Sequence, residues 1–86
     1  MLSVPFILTI KDLNKNEYKV SCLGYQHTIE YIKFILSEKL KINREKINLI
    51  MGQTKLLDYM KLEDYSINES SNITMIISMK AGLRTY

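Results

Sequence analysis

The sequence has little cysteine, proline or glycine: one, one and three residues among 86, with no tryptophan. Because Cys22 is the only cysteine, an intrachain disulfide is excluded, and no histidine or acidic residue adjoins it to favour a nucleophile. We therefore predict that Cys22 is a buried structural thiol. The scarcity of proline and glycine also leaves no linker-like or low-complexity segment.

Neither positive nor negative residues are concentrated in one part of the sequence. Twelve Lys and Arg oppose nine Asp and Glu, and no long basic run marks a nucleic-acid or membrane-binding surface. The apolar start, MLSVPFILTI, has no charged leader or cleavage site and is too short to span a bilayer. We expect a soluble protein of the cytoplasm or nucleus that binds neither nucleic acid nor membrane.

Side chains suited to catalysis are sparse as well. The sequence has one histidine and one cysteine, and no acid/base cluster or metal-ligand spacing is visible. We predict no enzymatic activity, no cofactor and no metal site. A chain of this length supports one hydrophobic core, and so a single domain.

A hairpin and a helix are predicted first. Apolar and polar residues alternate over 7–10 and over 18–22, on either side of the polar run Asn14-Lys15-Asn16, which predicts a β-hairpin. Thr28 stands where a helix N-cap is expected. Aliphatic residues follow it at spacings of three and four, namely Ile29, Ile32, Leu36 and Leu40. They predict an amphipathic helix from about 28 to 40.

Three further strands are predicted after the helix. They are a short strand over 47–51 with Ile50 facing outward, an edge strand at Leu56 after a turn at Gly52, and an alternating strand over 73–79. Strands on both sides of one central helix predict an α+β fold, with a mixed sheet wrapped over that helix.

Two segments carry a resemblance to ubiquitin. TIEYIKFILSEKLKINREKINLI is similar to its helix and third strand, and LEDYSI resembles the Leu-Ser-Asp-Tyr-Asn-Ile segment before its last strand. The alignment runs without a gap from Thr28 to Gly82, and the N-terminal hairpin joins it after one inserted residue. The resemblance implies a ubiquitin-like β-grasp domain over 1–82, with 83–86 as a tail or the start of a linker.

The resemblance also implies roles for three residues. Lys33 is expected on the inner side of the helix. Gly52 is expected to adopt a positive φ in the turn after the third strand. The ring of Tyr65 is expected to pack inward while its hydroxyl binds the loop backbone.

A binding patch is the main functional expectation. Ubiquitin-like domains bind receptors through three apolar positions on the exposed sheet face, which correspond here to Leu13, Ile50 and Ile76. The residues themselves favour this interpretation, because Ile50 and Ile76 interrupt the polar alternation on the outward side of their strands. The alternative is that they are scattered exposed aliphatics without a function.

The basic rim of that patch in ubiquitin is nearly absent here. The matching positions are Asn48, Thr54, Thr74 and Ser78. Lys11 remains near them. Fewer cations should weaken the binding of acidic partners, so we expect a partner that differs from the usual ubiquitin receptors.

The helix carries a second candidate surface. Tyr31, Phe34 and Ile35 are expected on the face opposite Ile29 and Leu36, where the parent fold is solvated. One interpretation is a second contact surface for a protein partner. The other is that Ile35 covers the shoulder of the helix while the two aromatic residues are merely exposed.

The C-terminal region distinguishes two functions. Covalent tagging in the ubiquitin family needs a C-terminal Gly-Gly, whereas the match here is Ala81-Gly82, followed by four more residues. The favoured hypothesis is a monomeric, non-catalytic interaction domain of a larger ubiquitin-pathway or proteasome-linked protein, with receptor-type or proteasomal partners. The alternative is the precursor of a divergent covalent modifier processed after Gly82.

Overall fold

The structure, a computed structural model, describes residues 5–78. Within these residues, one α-helix packs against a five-stranded mixed sheet. The elements are β1 (Phe6–Lys11), β2 (Glu17–Cys22), α1 (Ile29–Leu40), β3 (Ile47–Met51), β4 (Thr54–Lys55) and β5 (Ile73–Ile77). Short 3₁₀ turns occupy Arg44–Lys46 and Leu62–Tyr65. The predicted α+β class is confirmed.

The sheet has the strand order β2-β1-β5-β3-β4. β1 pairs antiparallel with β2 and parallel with β5, and β5 pairs antiparallel with β3. The first and last of these strands are therefore neighbours in the middle of the sheet. Their parallel pairing makes the sheet mixed, as predicted.

The core lies between the helix and one side of the sheet. The strands bury every second residue, which gives the set Phe6, Leu8, Ile10, Val20, Cys22, Ile47, Leu49, Ile73 and Met75. The helix adds Ile29, Ile32 and Leu36 at the predicted spacing. The thiol of Cys22 is buried as expected, and this burial raises its pKa to about 11.

The loops agree with most of the local predictions. Gly52 has a φ of 66° in the turn after β3. The hydroxyl of Tyr65 accepts a hydrogen bond from the backbone N–H of Leu57 at 3.0 Å. The predicted edge strand is displaced, because β4 consists of Thr54–Lys55 and ends before Leu56. Leu56 is buried and donates its N–H to the Leu49 carbonyl at 2.9 Å, so it still binds to β3.

The start of the helix is set by a capping hydrogen bond, and its end by a left-handed residue. The hydroxyl of Thr28 accepts a hydrogen bond from the N–H of Tyr31 at 3.2 Å, which confirms the predicted N-cap. At the other end, Lys41 adopts the left-handed conformation with a φ of 60° and donates its N–H to the Ser37 carbonyl. The helix stops there because this backbone conformation cannot continue the hydrogen-bond pattern.

Lys41→Gly is expected to stabilise the protein. A side chain in the left-handed conformation is strained by its Cβ, and glycine relieves this strain at some cost in chain entropy. We expect a gain of about 0.5 to 1 kcal/mol in urea unfolding, the left-handed penalty less the entropy cost of glycine. Lys39→Gly, in the last turn of the helix, is the matched control and should lose about 0.5 to 1 kcal/mol. A loss in both variants would contradict the assigned helix end.

Candidate functional site

The side of the sheet that the helix leaves uncovered carries Ile50 and Ile76. Ile50 is paired with Thr74, and Asn48 is paired with Ile76. Ile50 and Ile76 are therefore diagonal neighbours on one face, about 7 to 8 Å apart by the usual geometry of a sheet. Both side chains are partly buried.

Leu13 joins this face from the β1–β2 loop. Its side chain is 71% exposed. Leu13 and Ile76 line the same shallow groove, which has a volume of about 250 Å³. The structure thus brings together the three residues that were predicted as a binding patch. We call Leu13, Ile50 and Ile76 the outer patch.

Two lysines flank Ile50 in one row across the sheet. Lys55 is paired directly with Ile50 on one side, and on the other side Thr74 separates Ile50 from Lys11. Among residues 5–78, Lys55 forms no ion pair, whereas the ammonium of Lys11 lies 3.9 Å from the carboxylate of Glu17. The outer patch therefore has a basic margin.

Sequence reasoning had found only the Lys11 side of this margin. The sequence nevertheless contained a local indication that Lys55 lies opposite Ile50. The two-residue turn Gly52-Gln53 joins β3 to β4, and a turn of that length fixes the hairpin register that pairs Ile50 with Lys55.

Asp12 organises the loop that carries Leu13. One of its carboxylate oxygens accepts hydrogen bonds from the backbone N–H groups of Asn14 and Asn16, at 2.8 and 2.9 Å. The other accepts from the side-chain amide of Asn16 and from the hydroxyl of Tyr18, both at 3.1 Å. The side-chain hydrogen bond from Asn16, with the other donors, lowers the pKa of Asp12. Burial and the bond to Asp12 raise the pKa of Tyr18.

The three helix residues of the second candidate surface differ in their exposure. Phe34 is 44% exposed, whereas Tyr31 and Ile35 are partly buried and pack against the core. The ring of Tyr31 also stacks on His27 with a centroid separation of 4.3 Å. Phe34 is thus the most accessible of the three residues, and a role for this face in binding stays a prediction.

A buried cation lies on the inner side of the helix, as expected for Lys33. This residue is 7% exposed, and its ammonium nitrogen lies 2.5 Å from a carboxylate oxygen of Asp58. The pair lines a groove of about 570 Å³ beside α1, together with Glu30, Arg44, Lys55 and Tyr59. Its lining includes three cations and three anions, namely Lys33, Arg44 and Lys55, and Glu30, Glu45 and Asp58. Its charge therefore selects neither an acidic nor a basic ligand.

None of the known protein-family models matches the sequence. No helix within residues 5–78 is long and apolar enough to cross a membrane. The same part of the chain contains no group of three or more His, Cys, Asp or Glu side chains that could hold a metal ion.

The proposed processing site at Gly82 lies outside the described residues, as do the preceding Ala81 and the 83–86 tail. The last described residue is Ser78, whose backbone N–H donates to the Lys46 carbonyl at 2.7 Å.

Proposed function

We propose that the chain is a non-catalytic, ubiquitin-like domain of the β-grasp type that binds other proteins through the outer patch. The order of the strands, their mixed pairing and the single helix within residues 5–78 support this fold. So do Gly52 and Tyr65, which take the conformation and the hydrogen bond that the family requires. As the resemblance to ubiquitin implies, we propose a place for this domain within a larger protein linked to the ubiquitin pathway or the proteasome.

The observation that carries the binding role is the row of residues around Ile50. An apolar side chain lies between two lysines, with the Leu13–Ile76 groove beside it. A complementary partner presents an apolar side chain flanked by carboxylates. Oppositely charged margins of this kind steer the encounter and fix its orientation, while the apolar contact supplies most of the affinity.

An amphipathic helix is the partner segment that fits this row. Adjacent strands lie about 4.8 Å apart, close to the roughly 5.4 Å pitch of an α-helix. A helix that crosses the strands therefore places successive turns above Lys55, Ile50 and Thr74. A carboxylate one turn from the apolar residue then lies above Lys55. On the other side a carboxylate two turns away lies above Lys11, because Thr74 separates Lys11 from Ile50.

Ile50→Ala is expected to weaken partner binding by roughly 30-fold, the effect of about 2 kcal/mol that a central interface residue typically contributes. The matched control is Ile7→Ala. Ile7 is 46% exposed and lies on the same side of the sheet, but it is paired with Ser21, far along β1 from Leu13. Proteins captured from the source cells by the wild type and both variants should be quantified, and affinities measured for those that depend on Ile50.

The partner chemistry is tested with charge reversal. Lys55→Glu should weaken the same interaction and reduce its dependence on salt, because a cation that contacts the partner is replaced by an anion. Lys19→Glu, which changes an exposed lysine beside Glu17 on β2, should have little effect. If Ile50→Ala leaves binding unchanged while a Tyr31→Ala/Phe34→Ala double variant abolishes it, the helix surface is the true site.

A further inference from the structure

We propose that Asp12 is the positioning residue of the outer patch: its carboxylate fixes the loop that holds Leu13 beside Ile76, so that the partner meets a preformed groove. The role in partner binding rests on the function proposed above. The effect on the loop itself does not, and it can be measured on the protein alone.

The geometry of the loop carries this inference. The N–H of Asp12 donates to the Asn16 carbonyl, and the N–H of Lys15 donates to the Asp12 carbonyl, both at 3.0 Å. These two bonds close a three-residue loop whose last residue, Lys15, has a φ of 69°. Loops of this form usually place glycine at that position. Here the strained conformation is held without glycine, and local hydrogen bonds offset its cost.

The carboxylate of Asp12 supplies those bonds. It is the acceptor of four hydrogen bonds, from two backbone N–H groups, one amide and one phenol. The side chain of Leu13 does little to fix the loop, because it is 71% exposed and buries little surface. The position of Leu13 in the groove is therefore set by the backbone that Asp12 fixes.

Only an ionised carboxylate satisfies all four donors. It accepts hydrogen bonds on both oxygens, whereas an asparagine presents an amide donor on one side and a protonated acid presents a hydroxyl. The charged or titratable groups around it are Tyr18 on β2, Lys15 in the loop and Lys11 at the end of β1. Of these, Lys11 is engaged by Glu17, and Tyr18 donates directly to Asp12.

Preorganisation of this kind affects affinity. A loop that is already ordered loses less conformational freedom when a partner binds, so the same contacts give tighter binding. Because the Asp12 bonds fix one loop conformation, partners whose apolar side chain does not fit the groove between Leu13 and Ile76 are disfavoured. Asp12 also lines this groove, but its effect on selectivity comes from the backbone conformation that its hydrogen bonds impose on Leu13.

The first test measures the loop in the isolated protein by NMR relaxation. In Asp12→Ala, the backbone order parameters of residues 13–15 should fall from roughly 0.85 to below about 0.6, the range of flexible segments. Asp12→Asn should retain part of the order, because one oxygen can still accept the two backbone N–H groups. Leu23, another exposed leucine in a loop, is the internal control and should not change.

The pH profile separates positioning from a purely structural role. The pKa of Asp12 is lowered from its usual value of 3.8, so its full set of hydrogen bonds is present above that value. As the pH falls through the folded-state pKa, the order of the loop should drop to the level of Asp12→Asn, because a protonated acid also keeps one accepting oxygen. The order of residues 13–15 should follow this acidic titration in the wild type and should be independent of it in Asp12→Asn. Unchanged order in Asp12→Ala would overturn the proposal.

The second test uses a defined ligand, a synthetic helix of about 15 residues that carries one leucine flanked by glutamates. Asp12→Ala should weaken its binding several-fold, and Asp12→Asn by less. Equal affinities in the three proteins, together with a loosened loop in Asp12→Ala, would overturn the positioning role. If the wild type does not bind the peptide, the partner chemistry proposed above is wrong, and the NMR result alone decides the role of Asp12.

Discussion

Leu36→Ala is expected to lower the free energy of unfolding by about 2 to 5 kcal/mol. Leu36 is fully buried on the inner face of α1 and belongs to the same core cluster as Ile29 and Ile32. Its truncation removes apolar contacts and leaves a cavity that the surrounding strands can close only in part. Such a loss is a large share of the roughly 5 to 15 kcal/mol that stabilises a typical domain.

The matched control for Leu36→Ala is Phe34→Ala, two positions earlier in the same helix. Because Phe34 is 44% exposed, its truncation should cost less than about 1 kcal/mol in the isolated domain. Urea unfolding, followed by circular dichroism, gives both values. The reverse order of the two losses would show that the helix presents the opposite face to the sheet.

Asp58→Ala is expected to cost about 2 to 3 kcal/mol, because it leaves the ammonium of Lys33 buried without its carboxylate. The cost should be below that of breaking a fully buried ion pair, since the Asp58 side chain is 55% exposed and water can reach its position. The aliphatic part of Lys33 would still pack beneath the helix. Thermal and urea unfolding of the variant measure the loss.

Lys33→Met should behave differently from Asp58→Ala, although both variants break the same ion pair. Methionine fills much of the lysine volume without a charge, and the remaining Asp58 carboxylate is hydrated. We expect a change within about 1 kcal/mol. If Lys33→Met proves as destabilising as Asp58→Ala, the pair stabilises the fold through its mutual attraction and not merely by satisfying a buried cation.

The features that were predicted from the sequence are those with a local cause. The helix was found because Thr28 caps it and its apolar residues recur at three and four positions. The turn at Gly52 was found because glycine directly follows the predicted strand, whereas its positive φ was implied by the family resemblance. The buried thiol at Cys22 was predicted because it is the only cysteine and no histidine or acidic residue adjoins it. In each case the signal and its structural effect lie within a few residues, so no knowledge of tertiary contacts is needed.

The features that were missed depend on residues far apart in sequence. Lys33 and Asp58 are 25 positions apart, and nothing near either residue marks the other as its partner. Thr74 and Lys11 become neighbours only through the parallel pairing of β1 with β5. The hydrogen bonds to Asp12 are an exception, because their donors lie within six positions of it. The short polar run after Asp12 indicated the turn but not which side chain would accept these bonds.

The position of β5 between β1 and β3 has a consequence for synthesis on the ribosome. Until residues 73–77 have emerged, the nascent chain contains two separate hairpins with no strand to join them. Isolated two-stranded hairpins are at best marginally stable in water. The core therefore closes only after β5 has left the ribosome, and a chain truncated before β5 has no complete sheet. Such chains are substrates for chaperones and proteases instead of competitors for the binding partner.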